Sequence, residues 1–191
     1  AGEGNFNEVP WVGIFDREIT VSARKGYYIV FLFNAEMKGV YLRLALGWTQ
    51  YVEFYNGRNR QKKARQHIKE HSNKAKRLLR STQGFLTGDI DLSATNNLGK
   101  GYENGGVIHK YYPSNDLPSD NEIHVDLQYM IGVYRELKGM LGTDVFTFDT
   151  DTSLPISNTP TGSEEDSNDD TVGEETPSQA KERKKASITG D

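Results

Sequence analysis

Gly26-Tyr27-Tyr28-Ile29-Val30-Phe31-Leu32-Phe33 is the stretch that decides the fold. It contains β-branched and aromatic residues almost throughout, which favours a strand over a helix. Similar runs lie at Trp11–Phe15 and Val40–Leu46, with a turn over residues 35–39 before the second of them. We therefore predict strands over residues 11–15, 27–34 and 40–46.

The rest of the chain alternates helical and strand patterns. Thr49 is predicted to cap a short helix that ends at Tyr55. A long polar helix is expected over residues 59–80, and short strands over 88–92 and 105–112. A last helix begins after Ser119 or Asp120 and continues to Lys138. One apolar face of this helix carries Ile123, Leu127, Met130, Ile131, Tyr134 and Leu137. The prediction is an α+β domain whose mostly antiparallel sheet packs with helices.

The net charge of −4 conceals two unlike parts. Residues 143–191 hold twelve acidic and four basic side chains, which leaves fifteen acidic and nineteen basic residues before them. The region from about residue 151 has almost no large apolar residue and cannot offset its ordering entropy. We predict a domain over 1–148 and a disordered acidic linker or tail over 149–191. The mildly basic domain is compatible with a polyanionic partner.

Composition excludes several classes of protein. The chain has no cysteine, so disulfide frameworks, zinc ribbons and thiol catalysis are ruled out. No long apolar run predicts a membrane span or a signal peptide, and no phosphate-binding G-x-x-x-x-G-K-[ST] loop is found. We expect a cytoplasmic protein with no membrane partner and no cofactor. Because Ala1 is not a methionine and a motif follows at once, we expect the natural N-terminus to lie upstream.

A motif at the start of the chain carries a family resemblance. Gly2-Glu3-Gly4-Asn5-Phe6 leads into Val9-Pro10-Trp11, and the strand that follows reads G-x-Y-x-V-x-L from Gly26 to Leu32. This pattern resembles the DNA-binding N-terminal domain of McrB, the recognition subunit of the methylcytosine-dependent restriction system McrBC. The resemblance spans about residues 2–140. It implies a recognition module without catalytic activity, which captures a modified cytosine flipped out of duplex DNA and works with a motor or nuclease module encoded elsewhere.

The resemblance also implies a pocket for the base. Trp11 and Tyr28 match aromatic pocket positions, Leu32 matches an apolar residue near the base, and Tyr102 lies near a further aromatic position. A flipped base needs flat apolar surfaces and groups that bond its edge. Tyr28 and Leu32 are four residues apart on one predicted strand, so they share a face. The alternative is that these side chains are ordinary core residues.

The turn of Glu3, Gly4 and Asn5 is the expected DNA-facing loop. In the family, the residue between the glycines can enter the gap that the flipped base leaves. Here that residue is Glu3, and a carboxylate is unfavourable both in a base stack and near phosphates. Either another residue fills the gap or the target differs. The alternative is a plain turn before a strand.

The predicted polar helix is strongly basic. Residues 58–80 hold ten Lys or Arg side chains against the single acid Glu70. Such a charge density is suited to phosphate contacts, and Lys62, Lys63 and Arg65 are the candidates. The alternative is a solvated helix face.

Two metal-like spacings occur. His67 and His71 are four residues apart on the basic helix, a spacing that can bind zinc, but no nearby ligand pair completes a site. We therefore predict two surface histidines and no metal. Asp89 and Asp91 lack a following lysine at nuclease spacing, so solvent-facing strand residues are predicted.

The function predicted from the sequence is methylcytosine-specific DNA binding by base flipping. Two rivals belong to other classes. One is a structural fragment of a hydrolytic enzyme whose active site lies downstream, and the other is a protein-interaction module that has lost base recognition. A salt-dependent, methylation-sensitive affinity for DNA would separate the first function from both rivals.

Overall fold

The computed structural model describes residues 8–150 and confirms the predicted α+β class. Four antiparallel strands form one sheet in the order β1-β2-β3-β4. The strands are β1 (Trp11–Ile14), β2 (Tyr27–Phe33), β3 (Gly39–Leu46) and β4 (Gly106–Pro113). The helices are α1 (Trp48–Phe54), α2 (Arg60–Leu78), α3 (Asn97–Asn104) and α4 (Asp120–Leu141), followed by a 3₁₀ helix, Val145–Thr150. None of the described helices is both long and apolar enough to span a membrane.

Alternation along β2 and β3 divides the core between the two faces of the sheet. On the first face, Tyr27, Ile29, Leu42 and Leu44 are completely buried, and the main core forms there with α2 and α4. The second face carries a smaller apolar cluster. Its buried members are Val9, Tyr28, Val30, Leu32, Ala45, Ile90 and Leu92.

Helix α2 packs on the first face through a stripe at helical spacing. The buried residues of the stripe are Ala64, His67, Ile68, His71, Ser72 and Ala75. The prediction that both histidines lie on the surface is therefore wrong, because they are in register with the apolar positions of the stripe. The exposed side of α2 holds Lys62, Lys63, Lys69, Lys76 and Arg77.

Helix α4 begins with a capping box, in which Ser119 and Glu122 satisfy each other's backbone N–H groups. Met130, Tyr134 and Leu137 are buried on the predicted face. The Tyr134 hydroxyl donates to the Tyr27 carbonyl at 2.9 Å, and Lys138 pairs with Asp16 at 2.6 Å. These contacts anchor α4 to β2 and to the loop that follows β1.

The segment from residue 88 to α3 covers the second face. Residues 88–92 form no strand, contrary to the prediction, although Ile90 and Leu92 are buried in the expected alternation. The edge of β4 is occupied instead by Leu86, which bridges His109. The N–H groups of Ile90 and Leu92 are bonded by the backbone and carboxylate of Glu103 in α3.

Helix α1 is capped by Gly47 and not by Thr49, and no side chain bonds this helix start. A Cβ atom at position 47 would lie 2.6 Å from the Lys25 backbone. The start of α1 is satisfied by the neighbouring loop, since the Gln50 N–H donates to the Arg24 carbonyl at 2.9 Å. The Gln50 amide also bonds both the N–H and the carbonyl of Gly26. The predicted cap was therefore wrong because the approach of the chain to Lys25 requires glycine.

Candidate nucleic-acid interface

The second sheet face brings together the residues predicted for the base pocket. Trp11 lies directly opposite Leu32 in the β1–β2 ladder, which places both on the face that carries Tyr28. Tyr102 of α3 packs against the same cluster. Glu3, Gly4 and Asn5 lie outside the described residues, as does the predicted tail beyond residue 150.

Exposure differs sharply among the pocket residues. Tyr28 and Leu32 are each 3% exposed, whereas Trp11 is 38% exposed. The Tyr28 ring lies 5.2 Å from that of Phe15, and its hydroxyl donates to the Ala23 carbonyl at 2.9 Å. Burial raises the pKa of the Tyr28 hydroxyl well above its usual range, so the phenol stays neutral. Trp11 is thus accessible to solvent, whereas Tyr28 lies beneath the cover.

Arg43, on the second face of the sheet, bonds the backbone of the segment and helix that cover this face. It is completely buried, and its guanidinium donates to the carbonyls of Tyr102, Glu103 and Gly88. Burial lowers the pKa of Arg43 to about 10, which leaves it protonated at neutral pH. A charged donor therefore fixes the backbone that carries Tyr102.

An aromatic row on this face was not predicted. Leu32 is opposite Tyr41, and Tyr41 is opposite Tyr111, so a row crosses all four strands from Trp11 to Tyr111. The rings of Tyr41 and Tyr111 are 4.6 Å apart, and Tyr111 is 38% exposed. The parity of Tyr41 within β3 was a usable signal, but the register with β4 cannot be read from sequence.

A groove of about 540 Å³ lies at the end of this row, where β4 meets the start of α4. Tyr111, Pro113, Leu117 and Asp126 are among its lining residues. None of the predicted site residues lines it.

The basic side of α2 lies across the sheet from the candidate pocket. Ala64, Ile68 and Ala75 seat this helix on the first face. Within residues 8–150, Lys62 and Arg65 have no carboxylate partner, and Lys63 lies 6.0 Å from the centre of the Tyr55 ring. Lys69 instead pairs with Asp89 at 2.6 Å. The predicted phosphate contacts therefore lie on a helix of the first face, whereas the predicted pocket lies on the second face.

The two aspartates proposed as solvent-facing are exposed. Asp89 pairs with Lys69, and the Asp91 carboxylate accepts from the Ser93 N–H at 2.7 Å. Neither belongs to a group with metal-ligand spacing among the described residues, where one such group is found, His67, His71 and Asp149.

Comparison with known families gives a match. The family described as "MrcB-like, N-terminal domain" matches residues 1–139, which include all four strands and α1 to α3. No curated protein and no solved structure gave a match. The match covers well over half of the chain, and it confirms the resemblance carried by the first motif. The chain belongs to the family of MrcB-like N-terminal domains, and this membership indicates the DNA-binding module of a McrB-type restriction system.

Proposed function

We propose that this domain recognises duplex DNA that carries a modified cytosine, and that it takes the flipped base on the second sheet face. The observation that carries the proposal is the convergence of Trp11, Tyr28, Leu32 and Tyr102 on that face. Stacking surfaces of this kind replace the stacking that a base loses when it leaves the duplex. The domain acts as a recognition module, and the motor and nuclease steps belong to a partner module.

The buried state of Tyr28 and Leu32 defines what binding has to do. A base can reach them only if part of the cover, which is formed by residues 88–96, moves aside. The cover is held along its length. Arg43 donates to the Gly88 carbonyl, and the N–H groups of Ile90 and Leu92 donate to Glu103. At the far end, Thr95 and Asn96 donate to the Glu8 carboxylate. Trp11 is already accessible and supplies the first stacking surface.

The test compares Trp11→Ala with Val12→Ala in the same strand. Val12 is 57% exposed and points to the opposite face, so it matches Trp11 in position but not in role. Trp11→Ala should lose about 1–3 kcal/mol of binding to a duplex with methylated cytosine. Binding to an unmodified duplex should change much less, and Val12→Ala should change neither.

A fluorescent base analogue at the target position reports extrusion directly. The wild-type protein should raise its emission, and Trp11→Ala should weaken that response. Tyr28→Phe is a milder probe than Tyr28→Ala, because truncation of a buried aromatic side chain costs about 3–5 kcal/mol of folding free energy. Equal affinity of the wild type for methylated and unmodified duplexes would refute base recognition and favour a purely structural or protein-interaction role.

A further inference from the structure

Two histidines of α2 and one aspartate of the 3₁₀ helix after α4 bring three possible metal-ligand atoms close together. The Nε2 atoms of His67 and His71 are 3.1 Å apart, and each lies 2.9 Å from Oδ1 of Asp149. The side chains of His67 and His71 are 8% and 1% exposed, whereas that of Asp149 is 38% exposed. The triangle is thus closed by protein on one side and open to solvent on the carboxylate side.

The opposite nitrogen of each imidazole is held by a tyrosine. The Tyr51 hydroxyl lies 2.9 Å from Nδ1 of His71, and the Tyr55 hydroxyl lies 3.1 Å from Nδ1 of His67. If Nδ1–H donates to the tyrosine oxygen, Nε2 presents its lone pair to the centre of the triangle. Metal-binding histidines are commonly oriented in this way by a partner on the second nitrogen.

We propose that His67, His71 and Asp149 bind a divalent transition-metal ion, with zinc as the preferred ion. Two imidazole nitrogens and one carboxylate oxygen form a donor set that zinc accepts, and water can complete a tetrahedron on the open side. Ligands at about 2.0–2.1 Å from tetrahedral zinc are about 3.3 Å apart. The observed separations of 2.9–3.1 Å reach that value with shifts of a few tenths of an ångström.

The metal would join two parts of the chain that are far apart in sequence. His67 and His71 lie inside the family match, whereas Asp149 lies ten residues beyond its end at residue 139. Asp149 belongs to the 3₁₀ helix that follows α4, and Phe146 of that helix stacks on Phe54 at 5.2 Å. The ion would therefore clip the segment after the family domain onto the first-face side of α2.

The experiment uses the whole chain without a polyhistidine tag, stripped of metal by a chelator and then dialysed. Titration with Co²⁺ should produce the visible absorption of tetrahedral cobalt, which saturates at one ion per chain, and Zn²⁺ should displace it. Zn²⁺ should also raise the melting temperature. His71→Gln and His67→Gln should abolish the absorption, and Asp149→Asn should weaken binding at least tenfold.

Two kinds of variant separate metal binding from packing. His124→Gln changes an exposed histidine on α4 and should behave as the wild type. Tyr55→Phe removes the group that orients His67 and should weaken affinity about 10–100-fold while the protein stays folded. Asp149 is partly exposed, so Asp149→Asn keeps the test valid even if the histidine variants unfold. Absence of the cobalt spectrum in the wild type, or an unchanged spectrum in Asp149→Asn, overturns the proposal and leaves a His–Asp hydrogen-bond network.

Discussion

His109 is the residue at which burial has the clearest energetic consequence. It lies opposite Arg43 in the β3–β4 ladder and is 6% exposed. Its Nδ1 atom has no hydrogen-bond partner within the described part of the chain. Its ring packs edge-on against Tyr41 at 5.8 Å. Burial, followed by the positive charge of Arg43, lowers the pKa of His109 from 6.5 to about 4. The folded protein thus keeps this imidazole neutral.

This shift predicts acid sensitivity. Below pH 6.5 the His109 imidazole is protonated in the unfolded chain but stays neutral in the folded protein. The free energy of unfolding therefore falls as the pH drops from about 6.5 to about 4. The loss from His109 is on the order of 3 kcal/mol at the lower end. His109→Gln cannot be protonated and should flatten part of the profile measured by denaturant unfolding. Part of the dependence of unfolding free energy on pH should remain in this variant, because burial also lowers the pKa of His71 to about 4.

The exposed His124 on α4 supplies the control for this experiment. His124→Gln makes the same substitution at an exposed site, so a change that both variants share does not come from the burial of His109. A His109→Gln profile that superimposes on the wild type would show that His109 accepts its proton in the folded state.

At the scale of elements, helix α2 has two unlike sides, one buried and one exposed. Its buried stripe packs on the core and includes the two proposed metal ligands, His67 and His71, and its exposed side carries the positive charge. Lys62, Lys63 and Arg65 lie near its first turns, away from the second sheet face. Alanine has the highest helix propensity, so alanine at these three positions should leave the helix intact.

The triple variant Lys62→Ala, Lys63→Ala, Arg65→Ala tests the charge. If these side chains contact phosphates, affinity for methylated and unmodified duplexes should fall alike. The salt dependence of log Kd should lose about one unit of slope per lost contact. The matched control removes three exposed side chains away from α2, namely Arg17 and Lys25 in the loop between β1 and β2 and Arg135 on α4. If both triple variants behave identically, only net charge matters, and the basic side of α2 is a solvated face.

The elements differ in how far the sequence predicts them. The β2 run, the bounds of α2 and the Ser119 cap each carry a local signal, so their positions are predicted within a few residues. The buried stripe of α2 was not predicted, because its histidines and serine do not read as apolar positions. Helix α3 was not predicted, because its sequence NLGKGYEN contains two glycines that disfavour helices. Packing explains them: a Cβ at Gly101 would lie 2.3 Å from the Trp48 ring, and one at Gly99 would lie 2.4 Å from Ala94.

The candidate site could be predicted in part, because a local sequence pattern places some of its residues. Strand period alone placed Tyr28 and Leu32 on one face, and the ladder added Trp11. The cover over that face was not predicted, although β2 reads YYIVFLF, a continuous apolar run of the kind that strands buried on both faces show. The cluster of His67, His71 and Asp149 also escaped prediction, since the carboxylate comes from 78 residues beyond His71.

At the scale of the whole molecule, the acidic block of residues 151–191 holds ten acidic and four basic side chains in its sequence. Its removal should leave the melting temperature nearly unchanged, because the segment lacks apolar periodicity. DNA binding should tighten slightly at low salt, since a competing polyanion has gone. The truncated chain keeps Asp149. Calorimetry and a binding titration check both expectations. A large drop in melting temperature would show that the block docks on the domain.

The sheet has one further consequence, for the order in which the chain folds. Strands β1 to β3 form a meander whose loops span at most twelve residues, whereas β4 joins β3 only after the helices α1 to α3 have been passed. Closing short loops costs less entropy than closing long ones, so contacts local in sequence form sooner. We expect the meander to assemble early and β4 to lock on late. The second face would then be completed last, because its cover reaches the sheet through the same long connection.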